Sequence, residues 1–187
     1  MKTLWLVRHA RPLIEAGRCY GRLDVRADAE ASLQAAQALQ RALQPWRGDL
    51  SLWHSPLQRC KQLAQDLQRL EPDFMATPDA RLLEMDFGRW EGRLWDEIGA
   101  SAVDDWTRNL ALHAPGGGES LARMLARVAQ ALDDARSCDS SQVVWICHAG
   151  VARCMQWLLL HGPQLPQSHD WTLPAPAYGQ WLQLPIG

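Results

Sequence analysis

The strongest constraint on this chain is a set of short apolar runs separated by stretches of helical period. Thr3–Val7, Leu50–His54 and Gln142–Cys147 are the apolar runs, and QVVWIC is the most apolar of them. Near-continuous apolar strands of this kind are buried on both faces, which is the habit of parallel sheets. Between them, Ala29–Leu43 has helical spacing, with Leu33, Ala36, Leu39, Gln40 and Leu43 on one face and Pro45 as the stop. Pro56 to Leu70 reads as a helix with proline in its first turn, and Glu119–Ala135 as a helix behind a Gly116–Gly118 hinge with Ser120 as N-cap. Ala149–Leu160 is helical and closes at Gly162–Pro163; Arg81–Leu83 and Gln180–Leu184 are short strand candidates. Strands alternating with helices predict an α/β sandwich around a mostly parallel central sheet. In such sheets ligands bind beyond the carboxyl ends of the strands.

Length and charge narrow the class. A chain of 187 residues, 47% hydrophobic, is read as one domain spanning 1–187, with no internal repeat. A net charge of −2 gives no basic field for nucleic acid or a membrane surface, and no apolar run is long enough to cross a bilayer. Five cysteines without regular spacing suit a reduced, cytoplasmic protein, and no leader pattern precedes the first strand. Most of the ten tryptophans are expected to serve packing.

The strand ends carry the chemistry. The first apolar run delivers Arg8 and His9; the second delivers His54-Ser55-Pro56, with Arg59 one helical turn on; QVVWIC delivers His148, then Ala149-Gly150 and a helix start. Two arginines, two histidines and two helix N-termini thus converge on one sheet edge. Helix N-termini and guanidinium forks both select oxyanions, so the missing partner is expected to be a phosphoryl group.

RHA at 8–10, SPLQRC at 55–60, L-x-E-x-x-x-G at 82–88 and CHAG at 147–150, in this order, resemble the histidine phosphatase superfamily in its phosphoglycerate-mutase-like branch. The resemblance implies a three-layer α/β sandwich with a small cap insertion, here residues 84 to 117. It implies His9 as the transiently phosphorylated nucleophile and Arg8, Arg59, His148 and Ala149 as phosphoryl-binding residues. Glu84 is implied as proton donor and then base, with Asp86 and Glu91 as rivals. The implied partner is a small phosphorylated metabolite, with no cofactor, no metal and a homodimer as a possible assembly. RCYGRLDV and EMDFGRWEG are most similar to α-ribazole phosphatase-like members, which dephosphorylate a nucleotide-like precursor.

The chain departs from that pattern where Ala10-Arg11-Pro12 replaces the usual Gly-Glu-Thr, and where Ile14-Glu15-Ala16 lacks an asparagine. Arg11, Arg18 and Arg22 are the candidates to compensate. Two alternatives stand beside the main reading. Cys147 to Arg153 satisfies C-x5-R, the thiolate cradle of cysteine-dependent phosphatases, although it leaves Arg8, His9 and Arg59 without a role. A non-catalytic phosphate-binding module is the other.

Overall fold

A computed structural model describes residues 2–187. Five strands form one sheet in the order β3-β2-β4-β1-β5. These are β1 (Thr3–Arg8), β2 (Leu50–His54), β3 (Ala76–Pro78), β4 (Gln142–Cys147) and β5 (Trp181–Pro185). β4 pairs in parallel with both β1 and β2, β2 pairs in parallel with β3, and β5 alone runs antiparallel, along β1. The side-chain alternation of a strand, with period two, explains the layers. On β1, Leu4 and Leu6 pack into the core beneath α5 (Leu121–Ser137) and α6 (Ala149–His161). Trp5 and Val7 pack into the opposite core, beneath α1 (Ala29–Leu43) and α2 (Gln58–Leu70). β4 divides in the same way, Val143, Trp145 and Cys147 to one side and Val144 and Ile146 to the other. The α/β sandwich expected from the alternation is the observed fold.

The helix ends differ in instructive ways. α1 keeps its expected bounds, capped by Asp28, which accepts the Ala31 N–H, but its buried face is rotated. Leu33 is exposed, whereas Ser32 and Ala35 point inward. The buried Ser32 hydroxyl donates to Asp66 Oδ2 at 2.7 Å, a polar contact between α1 and α2 that apolar periodicity cannot reveal. Pro56 lies outside α2, which begins at Gln58 with Leu57 as N-cap. α5 starts two residues later than expected, at Leu121, and Ser120 does cap it by accepting the Arg123 N–H. The strand expected at 81–83 is instead a 3-10 turn, Ala80–Leu82, and the edge strand precedes it at Ala76–Pro78. Asp79 accepts the Arg81 N–H and sets that turn.

The excursion of residues 84–117 carries a turn at Gly88–Trp90, then α3 (Trp95–Ile98), α4 (Ala100–Arg108) and a turn at Pro115–Gly117. Gly116–Gly118 is not a hinge but a contact. A Cβ on Gly116 would stand 2.1 Å from Phe87 O, and one on Gly118 2.2 Å from Asp86 O. Glycine is needed because the two ends of the excursion are backbone against backbone.

The 18–25 and 84–92 stretches are joined by one carboxylate. Glu91 accepts the N–H groups of Gly21, Arg22, Leu23 and Phe87 at 2.8–3.0 Å. The Cys19 N–H donates to Arg93 O and the Gly92 N–H to Cys19 O. Glu91→Gln replaces one acceptor oxygen by a donor and strands two of these N–H groups. Charge-assisted bonds contribute on the order of 1.5–3 kcal/mol each. A drop of roughly 6–24 °C in thermal midpoint is expected by calorimetry or circular dichroism. An unchanged midpoint would show that the carboxylate does not hold the two loops together.

Candidate active site

Parallel pairing places the carboxyl ends of β1, β2 and β4 at one edge, where they deliver Arg8-His9, His54-Ser55 and Cys147-His148. The His9 N–H donates to Cys147 O and the Ser55 N–H to Ile146 O, which locks the three ends together. A cavity of about 240 Å³ opens there, lined by Arg8, His9, Arg59, Glu84 and Ala149 among others. Of the expected site residues, only His148 is missing from that lining. It lies just behind, fully buried, with its ring edge-on to His9 at 5.1 Å.

The protonation of His9 follows from one contact. Its Nδ1 lies 2.7 Å from the carbonyl oxygen of Ala10, and a carbonyl can only accept, so Nδ1 carries the hydrogen. Nε2 therefore holds the lone pair. Burial, and then the Arg59 and Arg8 charges, push the His9 pKa down to about 3 despite the bond to Ala10. The ring is neutral at physiological pH. Burial and the nearby Arg59 also lower His148, whose Nε2 meets Ser55 Oγ at 2.8 Å and Cys60 Sγ at 3.5 Å.

The two guanidinium groups are placed by backbone rather than by carboxylates. Arg59 is fully buried and donates to Leu23 O at 2.9 Å and Gly21 O at 2.5 Å. Arg8 donates to Pro176 O at 3.1 Å. Among the described residues neither forms a salt bridge, and the Nε of each is buried without a hydrogen-bond partner. Two cations beside two neutral imidazoles, with no counter-charge paired to them, make a site for an anion. The first turn of α6 adds its N-terminal field at Ala149.

Glu84 faces this cavity across the start of α6. Its Oε2 accepts the Gly150 N–H at 3.0 Å and its Oε1 the Met85 N–H at 2.9 Å. A Cβ on residue 150 would stand 2.1 Å from Oε1, so glycine there is what lets the carboxylate approach. Arg127 and Arg22 donate to the Glu84 carbonyl at 3.2 and 3.3 Å and hold its turn. The rival carboxylates are engaged elsewhere. Asp86 accepts the Gly88 N–H and Glu91 the loop N–H groups already described, and neither lines the cavity.

Of the extra arginines, Arg18 lines the cavity, but its guanidinium is held by Glu15 and Gly92 O. Arg22 turns to Glu84 O and Glu119, and Arg11 is exposed. The C-x5-R reading fails on geometry. Cys147 is fully buried on the face packed under α5 and α6, burial pushes its thiol well up, and it does not line the cavity. His54 bonds to Ser55 O and stays outside the site.

Sequence reasoning missed Tyr20, Tyr178 and Trp171, and reached Arg153 only through the C-x5-R reading. Tyr20, Arg153 and Trp171 line the cavity. The Tyr178 ring lies 5.6 Å from that of His9 and 3.8 Å beneath the Arg8 guanidinium carbon. Tyr178 reaches the edge because β5 is antiparallel, so the segment before its start lies beside the end of β1. No local pattern announces that.

Residues 4–181 match the family model of the histidine phosphatase superfamily, branch 1. The chain is 30% identical over 166 residues to "Putative phosphoserine phosphatase 2" of Hydrogenobacter thermophilus, covering 85% of this chain and 79% of that one. Mycobacterial glucosyl-3-phosphoglycerate phosphatase superposes with a TM-score of 0.81 at 25% identity, over 99% of this chain and 90% of the other. TTHB049 from Thermus thermophilus superposes with a TM-score of 0.72 at 28% identity, over 97% and 92% of the two chains. With its arginines and histidines gathered at the strand ends and its sequence matched almost end to end, the chain belongs to branch 1 of the histidine phosphatase superfamily and is a phosphatase.

Proposed function

We propose that this phosphatase hydrolyses small phosphomonoesters by transferring the phosphoryl group to Nε2 of His9. The observation that carries the reading is the neutral His9, its lone pair on Nε2, beside two guanidinium groups that no carboxylate neutralises. Arg8 and Arg59 hold the phosphoryl oxygens, with His148 and the Ala149 N–H completing the cradle. These donors stabilise the charge on the equatorial oxygens as the ester bond loosens. The Nε2–P bond forms as the P–O bond to the alcohol breaks, and Glu84 gives its proton to the departing oxygen. Glu84 then takes a proton from water, which attacks phosphorus, breaks the P–N bond and releases inorganic phosphate. A mycobacterial glucosyl-3-phosphoglycerate phosphatase of the same fold is described in complex with VO3, which supports an oxyanion as the ligand of such a site.

Much of the remaining lining is aromatic. Phe87, Trp95, Trp106 and Trp171 contribute to it, half-buried, whereas Trp90 is buried behind them as packing. Such a lining suits an alcohol with a flat apolar part. It supports α-ribazole phosphate, a nucleotide-like ester, as the first substrate to assay, in keeping with the narrower resemblance of the 18–25 and 84–92 stretches.

His9→Ala is expected to abolish turnover and Cys147→Ser to retain most of it. Trapped phosphoenzyme should be labile in acid and stable in alkali, as a phosphoramidate is. A stable thiol ester of phosphate at Cys147, or full activity in His9→Ala, would remove His9 from the role.

The pH dependence follows from the depressed pKa of His9. Protonation switches off the nucleophile, so the acid limb due to His9 belongs near pH 3 and not near 6.5. In single-turnover phosphorylation the rate should not fall between about pH 7.5 and about pH 5. An imidazole of ordinary pKa would lose roughly thirtyfold by about pH 5. A fall of that size would contradict a nucleophile kept neutral by its surroundings.

The acid role of Glu84 has its own test. A proton donor matters most for a poor leaving group and little for a stabilised phenolate. Glu84→Gln should slow single-turnover phosphorylation by α-ribazole phosphate roughly tenfold more than by p-nitrophenyl phosphate. Equal slowing by both esters would assign the proton to another group.

A further inference from the structure

The chain contains only two tyrosines, and both stand at this site. Tyr20 and Tyr178 are separated by 158 residues, yet their hydroxyl groups meet at 2.7 Å. Each ring supports one of the cations. The Arg8 guanidinium carbon lies 3.8 Å over the Tyr178 ring and that of Arg59 lies 5.4 Å over the Tyr20 ring. The Tyr178 ring also flanks the His9 imidazole at 5.6 Å. One hydrogen-bonded pair therefore touches the nucleophile and both arginines.

The backbone around each tyrosine serves the same groups. Gly21 O and Leu23 O, on either side of Arg22 just beyond Tyr20, accept from Arg59. Pro176 O accepts from Arg8, Gly179 N–H donates to the carbonyls of Arg8 and His9, and Gln180 O accepts the Arg8 N–H. An arginine has several rotatable bonds and loses considerable rotamer entropy when fixed. A ring under its face together with a carbonyl at one edge defines the guanidinium plane and leaves the remaining N–H edge for a phosphoryl oxygen.

Resting on the phosphohistidine reading above, we propose that Tyr20 and Tyr178 form a positioning pair. Their shared O–H···O bond ties the 18–25 loop to the segment before β5, so that Arg8, Arg59 and the His9 ring are set as one unit for phosphoryl transfer. Neither tyrosine donates the proton to the leaving group. Burial and the bond to Tyr178 hold the Tyr20 phenol above its ordinary pKa, so Tyr20 keeps its hydrogen through the working pH range.

The test is a double-mutant cycle read in single-turnover phosphorylation of His9, with thermal midpoints measured in parallel. Tyr178→Phe and Tyr20→Phe keep the rings and remove the bond. Each should lower the phosphorylation rate about three- to tenfold. The double variant should be no slower than either single one, because the two residues share one interaction. Tyr178→Leu removes the ring as well and should cost a further tenfold or so, with weaker inhibition by inorganic phosphate. All these losses should be equal for p-nitrophenyl phosphate and an alkyl phosphate, since the pair acts on the phosphoryl-binding side.

Additive losses in the double variant, or wild-type rates in all three single variants, would overturn the pair. Losses confined to the alkyl ester would also overturn it, by making a tyrosine the proton donor. A wild-type enzyme that forms no phosphohistidine would overturn both this proposal and the reading beneath it. Wild-type phosphohistidine with unaffected tyrosine variants would sink this proposal alone.

Discussion

Two guanidinium groups held in a low-dielectric pocket without a paired carboxylate are the constraint on which the rest of the site depends. Burying one unpaired cation is costly, and Arg59 is fully buried. Its charge is offset by the dipoles of Gly21 O and Leu23 O, which orient the fork without neutralising it. Carbonyls in place of carboxylates leave a net positive field. That field has two consequences at once: it favours a phosphoryl dianion, and it adds to burial in keeping His9 and His148 unprotonated. A cation-rich lining and unprotonated imidazoles are the same electrostatic arrangement seen from two groups.

The scaffold supplies rigidity where that arrangement needs it. The end of β1 is fixed on both sides, by β4 through Cys147 O and by the segment before β5 through Gln180 O. On the other wall, one carboxylate organises each part of the loop system. Glu91 gathers four backbone N–H groups of two loops, and Glu119 receives Arg127, which in turn holds the Arg81 and Glu84 carbonyls. Glu84 is thereby positioned from its backbone as well as from its side chain. Its close seat on α6 exists only because residue 150 has no side chain. Among the three carboxylates that compete in this stretch of sequence, hydrogen bonding separates the structural pair from the one that faces the cavity.

The same logic separates the tryptophans. Trp90 sits edge-on to both Trp95 and Trp106 and is buried, whereas Trp95 and Trp106 retain exposed surface on the cavity side. The excursion thus has an inner layer that closes its own core and an outer layer that meets the cavity. The cavity lining thus combines cations with aromatic rings, the first matched to an oxyanion and the second to an apolar group.

The sequence by itself determined the sheet and its functional edge. Continuous apolar strands can only be buried between two layers, parallel strands end on one side, and a polar group at each of those ends has to meet there. The meeting of Arg8, His9, Arg59, His148 and Ala149 at one edge was legible for that reason, and Glu84 through the motif around it. Only the tertiary structure decided which carboxylate faces the cavity, that Cys147 is buried away from it, and which arginines are engaged elsewhere. Those outcomes depend on burial and on hydrogen bonds between residues far apart in the chain. Tyr178 was illegible in the same sense, because it reaches His9 through the antiparallel edge strand, where Val7 pairs with Trp181 from the far end of the chain. Ser32 was hidden because its inward place on α1 depends on Asp66 of α2, and helical periodicity records apolar burial but not a satisfied polar contact.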